Sequence, residues 1–120
     1  MKLSRLGKFS LVGRREAEFF PLGKKVCKVR AHAVIASGAM VLDVRDRDEF
    51  EQGHIPQAVN VSRGTLEMRI GEVAPDKNAP IVCHCAGGKR GALAADTLQR
   101  MGYTQVVNLQ GGLKAFESQD

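Results

Sequence analysis

Six consecutive residues combine a nucleophile with groups that would hold an anion. They are Cys85, Ala86, Gly87, Gly88, Lys89 and Arg90. An apolar run precedes the cysteine and a helical pattern opens at Gly91, which places the cysteine at a strand end and a helix N-terminus. The partial positive charge and free N–H groups of a helix N-terminus, together with the two cations, favour the thiolate form of a cysteine. Because the thiolate is the nucleophile, the loop predicts covalent chemistry on an anionic substrate.

The rest of the sequence predicts the elements that position this loop. Short apolar segments at residues 40–44, 58–61, 81–84 and 105–109 are typical of buried strands, and helical patterns lie between them. Asp46 and Glu49 have capping-box spacing, which predicts the start of a short helix. The alternation predicts an α/β fold with a mostly parallel central sheet flanked by helices. Sites in such sheets lie beyond the carboxyl ends of the strands, where this cysteine falls.

Four motifs follow one another along the chain. They are the Asp and Arg of residues 41–45, the Gly-His-Ile-Pro stretch within residues 50–60, the cysteine loop at 85–90, and the strand and Gly-Gly pair at 107–112. In this order they resemble the rhodanese family of sulfurtransferases, with its strand that carries an Asp and an Arg, its Gly-His-Ile-Pro-Gly-Ala signature, its active-site loop, and its final strand and Gly-Gly turn. The resemblance covers most of the chain. Gln57 stands where the family often has Gly, and Leu113 where it often has Trp.

The resemblance implies a rhodanese-like domain that moves a sulfane sulfur from thiosulfate or a persulfide donor to a thiophilic acceptor. Cys85 would be the catalytic residue and would carry the sulfur as a persulfide. The acceptor would be a thiol or a protein. Residues 86–90 would bind the anionic substrate through their backbone N–H groups, with Lys89 and Arg90 attracting the anion and Arg90 also able to tie the loop down. Asp43 and Arg45 would line or brace the site, and an ordinary structural salt bridge is an equal alternative.

Two other classes are compatible with parts of this pattern. His84, Cys85 and Arg90 resemble the His-Cys-x5-Arg signature of cysteine phosphatases and related arsenate-reductase-like enzymes, but here four residues separate the cysteine from the arginine. The shorter loop makes a smaller cradle, which favours sulfur over a phosphoryl group. A non-catalytic binding module on the same fold is the third class, and the reactive cysteine argues against it.

The remaining cysteines and histidines predict no metal site and no cofactor. In a metal site made of Cys83, His84 and Cys85, successive ligands on the strand would point to opposite faces, and no second Cys/His cluster is present in the sequence. Cys83 is interpreted as packed beneath the loop, with a resolving thiol as the alternative. Cys27 is interpreted as partly buried without a role, His84 as a core or sheet-face residue, and His54 as a structural residue that bonds locally.

Composition sets the domain organisation and the compartment. The formal net charge is +5, and residues 1–30 hold nine Lys or Arg and two Glu, which is +7, so residues 31–120 carry −2. We therefore expect a basic N-terminal arm at 1–25, with Phe19, Phe20 and Leu22 packing on the body, and one rhodanese-like domain at 26–120. No apolar stretch approaches the ~20 residues of a membrane helix, and the arm lacks the aromatic interleaving of nucleic-acid binders. Three cysteines fit a reducing, cytoplasmic location.

Overall fold

The computed structural model describes residues 25–117 of the chain. The strands are β1 (Lys25–Val26), β2 (Met40–Asp43), β3 (Val59–Asn60), β4 (Ile81–His84) and β5 (Val106–Leu109). The helices are α1 (Lys28–Ala36), α2 (Arg47–Glu51), α3 (Leu66–Val73), α4 (Lys89–Arg100) and α5 (Gly112–Glu117), with a 3-10 turn at Arg63–Thr65. The predicted basic arm and the predicted packing of Phe19, Phe20 and Leu22 concern residues that lie outside the described range, apart from Lys25.

The five strands form one sheet in the order β1-β5-β4-β2-β3, and every neighbouring pair is parallel. The predicted α/β class with a parallel sheet is therefore confirmed. Strand β4, which leads into the cysteine loop, lies at the centre between β2 and β5. A central strand is buried on both faces, which explains why residues 81–84 read as a continuous apolar run apart from His84.

Two apolar clusters cover the two faces of the sheet. One gathers alternate residues of the central strands, such as Leu42, Cys83 and Val106, with α3 and α4. The other gathers the intervening residues, such as Val82 and Val107, with α1 and α5. The alternation follows from the two-residue period of a strand, which sends successive side chains to opposite faces. Helices on both faces leave the carboxyl edge of the sheet open for a site.

A tight turn links α2 to β3. Ala58 donates its N–H to the carbonyl of Ile55 at 3.0 Å, with Pro56 and Gln57 as the central residues. Gln57 has a φ of 73°, the conformation that the third residue of a type II turn requires and that glycine adopts most readily. The departure from the Gly that the rhodanese resemblance implies at this position therefore leaves a non-glycine residue in a strained conformation.

Strand β1 departs from the sequence-based expectation. The two-residue β1 pairs with β5 and adds a fifth strand that the sequence pattern did not indicate. A two-residue strand has too few side chains to show a period, so tertiary pairing alone creates it.

Candidate active site

The thiol of Cys85 sits inside a loop of backbone amides at the carboxyl end of β4. Its Sγ accepts the N–H of Gly88 at 3.0 Å and the N–H of Gly91 at 3.2 Å. Cys85 is only 1% exposed. Amides that point at a sulfur stabilise negative charge on it, because the donors are already oriented when the charge forms.

Glycine shapes this loop at two positions. Gly88 is the N-cap of α4 and has a φ of 114°, which turns the chain from the loop into the helix. Gly91 packs so tightly against β4 and β5 that a Cβ there would collide with Oδ1 of Asn108 and lie 3.2 Å from the Cα of His84. The missing side chain therefore lets the first turn of α4 approach the strands and aim the Gly91 amide at the sulfur.

The N-terminus of α5 holds the other side of the loop. Leu113 donates its N–H to the carbonyl of Cys85 at 2.8 Å, and Lys114 donates to the carbonyl of Ala86 at 3.3 Å. Gly112 has a φ of 64°, and a Cβ there would collide with both of those carbonyl oxygens. The Gly-Gly turn of the sequence thus serves a close approach between two backbones.

Arg90 ties the loop to α2. Its guanidinium forms a two-pronged ion pair with Glu49, at 2.8 Å and 3.0 Å. The hydrogen bonds from Arg90 lower the pKa of Glu49 from 4.5 to about 2, and they raise the pKa of Arg90. Glu49 also accepts the N–H of Asp46 at 3.3 Å, so the predicted capping box is present and doubles as a brace for the loop.

Asp43 and Arg45 form a buried ion pair at the end of β2. Arg45 Nη2 lies 2.7 Å from Asp43 Oδ2, and Arg45 also donates to the carbonyl of Gly53 at 2.8 Å. The hydrogen bonds that Arg45 donates to the Asp43 carboxylate raise the pKa of Arg45. The pair ties β2 to the loop after α2, which is the arrangement of a brace.

His84 connects that ion pair to the loop. Its Nε2 lies 3.6 Å from Asp43 Oδ2, and its Nδ1 lies 3.3 Å from the carbonyl oxygen of Cys85. Burial lowers the pKa of His84 in spite of the nearby Asp43 carboxylate. The prediction of a buried sheet residue is confirmed, since His84 has no exposed surface.

The other predicted residues lie in the loop around Cys85 or beneath it. Ala86, Gly87 and Gly88 form the loop around the sulfur, while Lys89 extends its side chain on the exposed rim. Cys83 is fully buried beneath the loop, as predicted, and burial raises the pKa of its thiol to about 12. Its thiol is therefore neutral at physiological pH and a poor nucleophile.

Cys27 departs from the expectation of a partly buried residue. It is exposed, and it is the N-cap of α1. Hydrogen bonding from the backbone N–H of Arg30 lowers the pKa of its thiol. The sequence offered no apolar pattern after Cys27 strong enough to place the start of α1 there, so its cap position was missed.

Two residues of the site were missed by sequence reasoning. Glu49 was noted only as a helix cap, yet it holds Arg90. Asn108 lies in the apolar strand β5 and donates Nδ2–H to the carbonyl of Gly88 at 3.1 Å. A polar residue within an otherwise apolar strand was the signal for Asn108, because buried polar groups are rarely without a partner. Glu49 gave no such signal, since acidic residues are common in first turns of helices.

A small cleft opens beside the loop, between α2 and α5. It has a volume of about 280 Å³ and is lined by Arg45, Glu49, Gln52, Gly53, Leu113 and Glu117. It adjoins the cysteine loop at two points, because Glu49 binds Arg90 and the N–H of Leu113 binds the carbonyl of Cys85.

Neither metal ligation nor membrane insertion finds a basis in residues 25–117. No group of three or more His, Cys, Asp or Glu side chains within that range is placed to hold a metal ion. Within the same range, no helix has both the length and the apolar character needed to cross a membrane.

Comparisons with known proteins place this arrangement in a family. The profile of the Rhodanese-like domain matches residues 29–119. The chain belongs to the rhodanese-like domain family, and the predicted resemblance and fold are confirmed.

Individual relatives support the same placement. The chain is 32% identical to the thiosulfate sulfurtransferase GlpE of Pseudomonas syringae, over 79% of this chain and 88% of that protein. It is 41% identical to the uncharacterized protein YqhL of Bacillus subtilis over 65% of this chain, and the match spans only 60% of YqhL. The human single-domain sulfurtransferase TSTD1 superimposes with a TM-score of 0.72 at 28% identity, over 80% of this chain and 96% of that one.

Proposed function

We propose that this protein is a sulfurtransferase that carries a sulfane sulfur as a persulfide on Cys85. The observation that carries the proposal is the pair of backbone amides, from Gly88 and Gly91, directed at the cysteine sulfur. Two preoriented donors stabilise a thiolate before the reaction and the negative terminal sulfur after it. The likeness to thiosulfate sulfurtransferases supports the same activity.

The reaction takes place in two balanced steps. The Cys85 thiolate attacks the outer sulfur of thiosulfate, a bond forms between the two sulfurs, and sulfite leaves with the electron pair of the broken S–S bond. The persulfide keeps one negative charge. An acceptor thiolate then attacks the terminal sulfur, and the pair of the breaking bond returns to Sγ as the thiolate. Sulfur moves with no external oxidant, and ping-pong kinetics follow.

Residues 86–90 bind the anionic donor in this proposal. The N–H groups of Gly88 and Gly91 already point at Cys85 Sγ, and the other first-turn N–H groups of α4, those of Lys89 and Arg90, lack helical partners and are available to the anion. Lys89 supplies the exposed cation that attracts it. Arg90 contributes mainly through its ion pair with Glu49, which fixes the loop. Asp43 and Arg45 support the site from β2 by bracing the loop that follows α2.

A phosphatase reading has less support. In a cysteine phosphatase, the loop arginine would need both of its terminal nitrogens to bind the oxygens of the substrate phosphoryl group. Here both prongs of Arg90 are held by Glu49, and the loop is one residue shorter than the phosphatase signature. A purely binding role has less support because the thiol accepts two directed backbone N–H groups.

The donor is a small anion such as thiosulfate, and the acceptor is a thiol or a protein that presents one. We propose a cytoplasmic location, because all three cysteines are free and two of them are buried without a partner cysteine. Nothing in this chemistry calls for a metal or another cofactor. We also propose the division into a basic arm at 1–25 and a domain at 26–120, with the +7 charge of residues 1–30 as support.

Intact-mass measurement tests the activity directly. The wild-type protein incubated with thiosulfate should gain the mass of one sulfur atom and lose it again when cyanide is added. Cys85→Ala should gain none, while Cys83→Ala, which removes the neighbouring thiol, serves as the matched control. Sulfur loading on Cys85→Ala equal to that of the wild type would overturn the assignment.

A further inference from the structure

The cleft between α2 and α5 carries a negative charge, whereas the loop around Cys85 offers positively charged groups. Two of its charged residues are neutralised, Glu49 by Arg90 and Arg45 by Asp43. Glu117 has no ion-pair partner among residues 25–117, so the cleft carries one net negative charge. The loop, in contrast, offers helix N-terminal amides and the cation Lys89. The two adjoining surfaces therefore suit ligands of opposite charge.

The side chain of Glu117 makes no hydrogen bond or ion pair with residues 25–117 that would give it a role in the fold. Glu117 is the last described residue of α5, and it is exposed. Leu113 lies one turn earlier on the same face and forms an apolar wall of the cleft. A carboxylate above an apolar wall fits a short chain that ends in an ammonium group.

We propose that this cleft binds the sulfur acceptor, and that the acceptor is a small thiol with an ammonium group on a short apolar stem. The proposal rests on the sulfurtransferase function and gives the second substrate, the sulfur acceptor, a binding site. The volume, about 280 Å³, lies at the lower end of ligand-pocket sizes, which suits a molecule of a few carbons. The ammonium group pairs with Glu117, the stem packs on Leu113, and the thiol is directed toward the loop that Leu113 and Glu49 contact.

This placement separates the two half-reactions by charge. An anionic donor is repelled by Glu117 and is attracted to Lys89, so it enters the loop and not the cleft. A cationic acceptor is repelled by Lys89 and attracted to Glu117. The persulfide that forms in the first step carries the sulfur beyond the buried Sγ of Cys85, toward a thiol held next to the loop.

Unloading of the preformed persulfide tests the proposal without involving the donor step. The protein is loaded with thiosulfate, freed of excess donor, and mixed with cysteamine or with 2-mercaptoethanol, which differ by an ammonium in place of a hydroxyl group. Loss of the added sulfur is followed by intact mass, and rate constants are expressed per thiolate present. We expect cysteamine to react about two to five times faster at low ionic strength, the range of a partly exposed ion pair, and salt to reduce the ratio.

Charge variants at Glu117 then test whether the acceptor binds in the cleft. Glu117→Gln should bring the ratio of the two rate constants close to one, and Glu117→Lys should invert it. The matched control is Glu72→Gln, an exposed carboxylate near the end of α3, at the opposite edge of the sheet from the loop. It should keep the wild-type ratio. Taking a ratio within each variant cancels any general change in reactivity.

The outcomes separate this proposal from the one on which it rests. Failure of the wild type to load sulfur overturns the sulfurtransferase function and the cleft proposal with it. Normal loading with the same ratio in wild type and Glu117→Gln overturns the cleft proposal alone. So does a change of the ratio in Glu72→Gln as large as that in Glu117→Gln, because it would reflect overall charge and not the cleft.

Discussion

The ion pair between Arg90 and Glu49 makes a prediction that distinguishes a brace from a substrate contact. Glu49→Gln keeps the size of the side chain and removes its charge, and Arg90→Gln removes the charge on the other side. If the pair braces the loop, both variants release the same contact. Both should then lower kcat/KM for thiosulfate, and the double variant should be no worse than the more impaired single variant.

The size of the stability effect follows from the exposure of the two side chains. The bonds are short and two-pronged, which raises their value, but the side chains are 38% and 36% exposed, so solvent screens the charges. The pair should contribute about 1 kcal/mol, near the upper end for exposed ion pairs. For a domain of this size, that loss should lower the melting temperature by roughly 3–6 °C.

The pKa of Glu49 fixes the pH at which this contribution is lost. Arg90 lowers the pKa of Glu49 from 4.5 to about 2, so the folded state holds the carboxylate more strongly than the unfolded chain. The contribution is therefore complete above about pH 4.5 and is lost as the pH falls toward 2. The difference in melting temperature between wild type and Glu49→Gln should be constant from pH 6 to 8 and shrink below pH 4.5.

Steady-state kinetics with thiosulfate and cyanide provide the decisive comparison. If Arg90 contacted the donor directly, Glu49→Gln would free its guanidinium and lower KM for thiosulfate, whereas Arg90→Gln would raise it. Opposite shifts of KM in the two variants would refute the bracing role. Additive losses in the double variant would refute the shared contact.

Two further predictions concern residues outside the loop. Gln57→Gly should raise the melting temperature, because it relieves a positive φ at an exposed side chain; the net gain is about 0.5–1 kcal/mol after the entropy that glycine adds to the unfolded chain. Gln57→Val should lower it, and a lower melting temperature for Gln57→Gly would contradict the strain. Cys83→Ala should retain sulfur loading on Cys85, since burial keeps the Cys83 thiol neutral. Loss of loading in a folded Cys83→Ala protein would give Cys83 a part in the transfer.

The sequence predicted the parallel sheet and the position of the loop because both depend on local patterns. Apolar runs set the strands, and the switch to a helical period after Cys85 placed the cysteine at the edge of the sheet. The glycines at 87 and 88 and the Gly-Gly pair at 111 and 112 were visible as motifs. That Gly91 and Gly112 let two helix N-termini approach one loop appears only in three dimensions.

The parts that were not predicted depend on contacts between distant segments. Arg90 and Glu49 are 41 residues apart, and the sequence offers no rule that pairs one exposed glutamate among many with this arginine. Asn108 contacts Gly88 across 20 residues. The acceptor cleft depends on the placement of α5 against α2, which no local pattern encodes. Side-chain pairing over such separations is decided by the packed fold and not by propensity.

The contacts of α5 with the loop also fix when the site can exist during protein synthesis. Leu113 and Lys114 bind carbonyls of Cys85 and Ala86 and are made more than twenty residues after them. A ribosome that has just delivered Cys85 has not yet produced the helix that closes the loop around it. The carbonyls of Cys85 and Ala86 therefore gain these partners, and the loop its support from α5, only after translation has passed residue 114. A chain that stalls earlier carries the loop cysteine without the helix that holds one side of its loop.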